Sequence, residues 1–124
     1  MKLNFDCIRD ILLYCEEQST VDRFICFTNG SFPTELQKYS EDEIKYHLRQ
    51  LQWDGLITQL TIHSDGMMFS DLTPSGHKFI GEIRSDTNWN KTKSIATQAG
   101  VFTINAIKEI AISVATASIQ KYLP

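Results

Sequence analysis

Ser40-Glu41-Asp42-Glu43 marks a helix start, and the switch of pattern after that helix limits the folds open to the chain. Ser40 stands as N-cap with Glu43 three residues on, the spacing of a capping box. Tyr39 and Ile44 have the spacing of a hydrophobic staple across that start. Ile44, Leu48 and Leu51 then recur at helical intervals, and Gly55 is the natural stop after Asp54. There the period changes. Leu56, Thr58, Leu60 and Ile62 alternate with Ile57, Gln59, Thr61 and His63, which predicts a strand. Ser64-Asp65-Gly66 reads as a hairpin turn and Met67 to Leu72 as the returning strand.

The flanking segments complete the pattern. Asn4 is a good N-cap with Asp6 favourably placed against the helix dipole, and Leu3 and Ile8 have staple spacing. Ile8, Ile11, Leu12 and Cys15 trace one apolar face ending around Gln18. Arg23 to Phe27 predicts a buried strand followed by an Asn29-Gly30 turn. Pro33 leaves room for only a helical stub over Thr34 to Gln37. Downstream, Thr73-Pro74 opens a helix carrying Phe79, Ile80 and Ile83. Asp86 or Thr87 restarts it as far as Ala99, with Trp89 and Ile95 as apolar anchors. Gly100 ends that stretch, and Thr103 caps a last helix running to about Tyr122.

Helix, strand, reduced helix, helix, strand, turn, strand is the order of a winged helix-turn-helix. The expected class is therefore α+β and mostly helical, a winged helix-turn-helix with a small antiparallel sheet and a C-terminal helical extension. No linker or repeat divides the 124 residues. They are expected to form a single domain, with 1–84 as the winged-helix-like core. Residues 85–124 would be a helical tail packed on that core or on a second subunit.

The whole chain resembles a bacterial and prophage family known as domain of unknown function 2513. The match is carried by Tyr46-His47-Leu48, Leu51 and Asp54-Gly55-Leu56-Ile57, then by Leu72-Thr73-Pro74-Ser75-Gly76-His77-Lys78-Phe79-Ile80. It continues through Ile83-Arg84-Ser85-Asp86-Thr87-Asn88-Trp89-Asn90-Lys91 and agrees in the amphipathic last helix. The resemblance implies a winged-helix-like domain with a helical tail, in a phage or mobile-element setting common among low-GC Gram-positive bacteria. It brings no catalytic residue, because the family has none assigned.

Charge argues about partners. The formal net charge of −3 is a sum of opposed parts. Residues 1–77 hold six basic and twelve acidic residues, giving −6, while 78–124 hold six basic and three acidic, giving +3. A phosphate-contacting face needs several Lys or Arg. The expected wing, His63-Ser64-Asp65-Gly66-Met67, has neither. DNA is therefore a disfavoured partner.

With Ile44, Leu48 and Leu51 inward, steps of about 100° per residue put Tyr46, Arg49 and Trp53 on the opposite side, flanked by Lys45, Gln50 and Gln52. Two readings stay open for this candidate contact face. In one, Arg49 and Lys45 contact phosphate or guanine while Gln50 or Gln52 reads an adenine edge. In the other, Tyr46 and Trp53 are covered by the C-terminal helices or another subunit, since large aromatics seldom stay exposed without a partner.

The last helix predicts a second contact. Ile107, Ile110, Val114 and Ala117 form one stripe, and Ile104, Ile112, Ala115 and Ile119 line a broadly different side. A helix apolar over so much of its circumference needs burial on more than one side. The second side is the candidate face for a homo-oligomer or a protein partner.

Enzymatic chemistry is not expected. His47, His63 and His77 have no metal-ligand spacing with one another or with Cys7, Cys15 and Cys26. His47 reads as a half-buried, hydrogen-bonded residue. The glycines form no phosphate-cradling cluster, and no serine sits in a nucleophile elbow. The sequence thus points to no catalytic residue, metal or cofactor. The odd set of cysteines without CxxC spacing reads as small apolar core residues in a reducing cytosol. The N-terminus lacks the apolar run of a signal peptide, and Lys108 and Glu109 interrupt the longest apolar stretch, so a cytoplasmic location without membrane insertion is expected.

Overall fold

In the computed structural model, which describes Met1–Pro124, the chain forms two compact units, Met1–His77 and Lys78–Pro124. The first opens with α1 (Phe5–Gln18), where the Asn4 side chain accepts hydrogen bonds from the backbone N–H groups of Asp6 and Cys7. Cys7, Ile8, Ile11, Leu12 and Cys15 form its buried face. After β1 (Ile25–Thr28) a single 3-10 turn (Thr34–Leu36) occupies the place of the helical stub. Pro33 is extended (φ −54°, ψ 152°) and keeps helix from starting before Thr34, and the one turn that follows buries Leu36 completely.

Both halves of the Ser40/Glu43 capping box are present at the start of α2 (Glu41–Trp53). Such a cap stabilises a helix by about 1 kcal/mol. Ile44, His47, Leu48 and Leu51 face inward. The helix ends in a Schellman motif: Leu56 N–H donates to the Leu51 carbonyl and Gly55 N–H to that of Gln52. Gly55 carries the required left-handed backbone, φ +76°. Leu51 and Leu56, the apolar pair that accompanies this motif, are fully buried.

The expected hairpin forms, with one difference. β2 (Ile57–Thr58) pairs antiparallel with β5 (Asp71–Leu72), and β3 (Thr61–His63) with β4 (Gly66–Phe69). The outgoing strand is broken at Gln59–Leu60 instead of running unbroken from Leu56 to His63. No residue is inserted, since Thr58 opposes Asp71 and Thr61 opposes Met68. The ladder breaks because Gln59 takes φ +61°, a left-handed value that an extended strand cannot contain. The first strand also lies later than Arg23 to Phe27, because Arg23 and Phe24 precede the ladder. β1 pairs with the other side of β4, giving a sheet of order β1-β4-β3. Its inner face presents Ile25, Phe27, Met67 and Phe69, and the Phe27 ring lies 5.9 Å from that of Phe69.

The motif Leu72-Thr73-Pro74-Ser75-Gly76 is a backbone clamp. Thr73 N–H donates to the Leu56 carbonyl, the Thr73 hydroxyl donates to the Gly55 carbonyl, and that same oxygen accepts from Gly76 N–H. A Cβ on Gly76 would sit 2.2 Å from the Leu56 carbonyl oxygen. The stop of α2 and the start of α3 (Pro74–Ile83) are thereby tied together.

In Lys78–Pro124, α4 (Asp86–Ala99) packs against α5 (Ile104–Gln120). Ser85 caps α4, Thr103 caps α5, and Gly100 closes α4 in the left-handed region. Trp89, Thr92 and Ala96 are buried on α4, and Ile104, Ile107, Ala111 and Val114 on α5. Two expectations change here. Ile95 is 44% exposed, so Trp89 anchors α4 without it. Ile104 belongs to the buried stripe and not to the free side, because residues 104, 107, 111 and 114 repeat at the helical interval while Ala117 turns outward.

Candidate functional site

The outward face of α2 is the leading candidate. His47 fixes how α2 sits against α1. Asn4 N–H donates to His47 Nε2 (2.8 Å), so Nε2 carries no proton and Nδ1–H donates to the Glu43 carbonyl (2.7 Å). The ring is fully buried, more deeply than the half-buried position its sequence suggested. Tyr39 adds a second tie, its hydroxyl donating to Asp10 Oδ2 (2.6 Å), which also pairs with Lys38 Nζ (3.1 Å). Burial, then the bond to Asp10, pushes the Tyr39 pKa up.

On the solvent side, the Arg49 guanidinium lies 5.9 Å from the Trp53 ring centroid. Trp53 is 69% exposed and therefore left uncovered by its own chain. Arg49 is exposed, while Lys45, Tyr46 and Gln50 are half-buried. Gln52 is engaged elsewhere, its Oε1 accepting a hydrogen bond from Leu60 N–H (2.6 Å). The first turn of α2 is acidic, with Glu41, Asp42 and Glu43.

The β3–β4 turn in the same unit is held by Asn29, whose backbone N–H donates to the Asp65 carbonyl (2.9 Å) and whose Nδ2 donates to that of Ser64 (3.1 Å). Asn29-Gly30 announces a turn in the sequence, yet nothing there reveals that the turn grips another one 35 residues away. Gln52 and Leu60 are equally silent, since their bond crosses the helix stop.

On α5 the candidate oligomer face is present in reduced form. Ile112 and Ile119 are 41% and 58% exposed and Ala115 is half-buried between them, whereas Ile104 is buried.

The cysteines divide. Cys7 and Cys15 are core residues whose pKa values burial pushes up to about 12, which leaves them protonated and unreactive at neutral pH. Cys26 departs from the core reading because it points away from the inner face of β1 and is exposed. No three His, Cys, Asp or Glu side chains stand close enough to hold a metal together. No helix is long and apolar enough to cross a membrane.

Residues 2–102 match the family described as "Hypothetical protein (DUF2513)". An uncharacterised protein from Haemophilus influenzae is 33% identical over 116 residues, covering 90% of this chain and 92% of the relative. No solved structure matches the chain.

Proposed function

From the premise that the chain belongs to the DUF2513 family, we propose that Met1–His77 is a non-catalytic winged-helix-like module that works through protein contacts. The strand order β1-β4-β3, with β3–β4 as the wing and α2 preceding it, supports the winged-helix reading. The exposed Arg49–Trp53 pair carries the protein-contact reading. Arg and Trp are the side chains that most often dominate protein interfaces. DNA reading by such a module uses the N-terminal residues of the recognition helix. Here that turn is Glu41-Asp42-Glu43, the wing has no Lys or Arg, and the module carries −6. The family's phage or mobile-element associations suggest a regulatory or assembly role in that setting. The exposed Ile112–Ala115–Ile119 side of α5 supports self-association as part of that role.

The alternative is a sequence-specific DNA-binding regulator, favoured by Lys45, Arg49 and Gln50 lying on the outer side of α2. A gel-shift assay at low salt separates the two. The protein-contact reading expects no specific complex at micromolar protein. A specific complex abolished by Lys45→Ala with Arg49→Ala would overturn it. For self-association, light scattering should give more than the 14.2 kDa of one chain, and Ile112→Lys with Ile119→Lys should restore the monomer. A wild-type monomer at high concentration would remove the α5 contact.

A further inference from the structure

β1 is an edge strand, and the alternation of its ladder fixes which backbone groups stay free. Asn29 N–H donates to the Asp65 carbonyl one step beyond the Thr28–Gly66 pair. Bonding alternates along an antiparallel ladder, so Ile25 and Phe27 bond to β4 while the N–H and C=O groups of Cys26 and Thr28 point away from it. Ser31 N–H takes the Thr28 carbonyl (3.0 Å). Carried back to Phe24, the alternation leaves an open row of Phe24 C=O, Cys26 N–H and C=O, and Thr28 N–H, with no strand beside it. Phe24, Cys26 and Thr28 are exposed. Native edges are commonly blunted by charge, proline or a bulge. Phe24–Thr28 holds no charge and no proline, and Ile25–Thr28 pair with β4 without a break. The opposite edge is different. On β3, Ile62 alone presents both groups, because Leu60 N–H is held by Gln52 and Gln59 has left the ladder.

We propose that the β1 edge binds an extended segment of a partner protein, which joins the sheet as a fourth strand and carries apolar or β-branched residues between basic ends. The inference does not depend on what α2 or α5 contacts. The open row selects an extended occupant, because a strand presents its own donors and acceptors at the matching interval. In such strand addition, main-chain bonds supply the attraction and alternate side chains the specificity. On the inner side of β1, Phe27 is flanked by the half-buried rings of Tyr14 and Phe32, at 5.6 and 6.1 Å. An added strand would set an apolar side chain beside them. On the outer side it would cover Phe24, which is 49% exposed. Burial, and then the Glu35 carboxylate, push the Tyr14 pKa up, so Glu35 lies near this cluster. With Asp22 before the strand and Asp65 opposite Asn29 at its end, acidic groups outnumber Arg23. Basic ends on the occupant complement that charge.

Titration of the isotope-labelled full chain with acetyl-Lys-Thr-Val-Thr-Val-Thr-Lys-amide, followed by NMR, tests the edge. The Cys26 and Thr28 amides should shift in a saturable way and, with peptide bound, exchange with solvent about tenfold more slowly or less. Two versions of the peptide, N-methylated on opposite alternate sets of residues, should differ. The one methylated along its bonding edge should bind about tenfold or more weakly, and the other as the parent does. Equal binding by the two would mean apolar adhesion and would overturn the proposal. Cys26→Pro removes an outward N–H, a replacement that edge strands tolerate, and should lower affinity in the same way. The paired peptides decide the question independently of how that variant folds. A glutamate-ended peptide should bind about threefold or more weakly at low salt, and equal affinity would overturn the basic preference. Silence at Cys26 and Thr28 with millimolar peptide, or shifts centred on Trp53 or Ile119 instead, would also sink the idea. So would protection of the same amides that grows with protein concentration in the absence of peptide, which would give the edge to a second copy.

Discussion

Gln52, in the last turn of α2, accepts a 2.6 Å hydrogen bond at Oε1 from the backbone N–H of Leu60, at the point where the outgoing strand is broken. The left-handed Gln59 takes the chain out of the ladder between Thr58 and Thr61, and the Gln52 side chain supplies the acceptor that Leu60 would otherwise lack. A residue that looks available to read a base is thus holding the root of the hairpin. Gln52→Leu should destabilise the protein by about 1 kcal/mol, the cost of leaving a half-buried donor without its protein partner. The amide of Leu60 should exchange faster with solvent than in wild type. Urea denaturation and hydrogen exchange check both, and an unchanged Leu60 rate would contradict the clamp.

His47 is bonded at both nitrogens in a single tautomer, accepting from Asn4 at Nε2 and donating to Glu43 from Nδ1. His47→Ala removes both bonds and leaves a cavity where α1 meets α2. A loss of about 2–4 kcal/mol is expected, combining an unpaired donor with large-to-small core truncation. Imidazole nitrogen NMR should find the proton on Nδ1. A proton resident on Nε2 would overturn the assignment, since Asn4 N–H could not then donate there.

These two residues show what the sequence discloses. The capping box at Ser40, the Gly55 stop and the alternation after it are local signals, written within a few residues of where they act; the first two reappear in full, and the third as a strand broken at Gln59–Leu60. Gln52–Leu60 and Asn4–His47 join residues 8 and 43 apart, and no periodicity encodes them. The exposed pairing of Arg49 with Trp53 was half legible: helical spacing placed both outward, but only packing decided that Trp53 stays uncovered. On α5 the apolar residues outnumber what one stripe can bury. Spacing alone therefore assigned Ile104 to the wrong side.

The thiols make a prediction of their own. In the native protein, one of the three cysteines, Cys26, should react rapidly with a thiol reagent. Cys7 and Cys15 should react only at the rate of unfolding. The same burial couples folding to pH. The two core thiols ordinarily ionise near 9.0, but in the fold they hold their protons up to about 12. Above pH 9 the unfolded chain loses protons that the native state keeps, so the native state becomes progressively less stable across that window. Stability measured by urea should therefore be level with respect to these groups below pH 8 and fall from pH 9 upward. Cys7→Ala with Cys15→Ala should lessen the fall that begins at pH 9, leaving the part that Tyr39, whose pKa burial and the Asp10 bond also raise, adds above pH 10. An alkaline decline of the same steepness in the double variant would show that other groups cause it.

Two glycines of α3 should respond in opposite directions to the same substitution. Gly76 takes part in the clamp to the Leu56 carbonyl, where a Cβ would come within 2.2 Å of a backbone atom. The backbone of α3 and the end of α2 must then separate, weakening the Thr73 bonds that join them. Gly76→Ala should cost several kcal/mol, in the upper range of single substitutions. Gly81, five residues on in the same helix, has nothing within 4 Å of its would-be Cβ and an ordinary backbone conformation. Gly81→Ala should stabilise by about 0.4–1 kcal/mol, because alanine restricts the unfolded chain without straining the helix. Thermal melts of the two variants give a direct comparison at constant chemistry. If both lowered the melting temperature equally, helix propensity and close approach could not be the deciding terms. If Gly76→Ala were neutral, Thr73 and Gly76 would not be what ties α2 to α3.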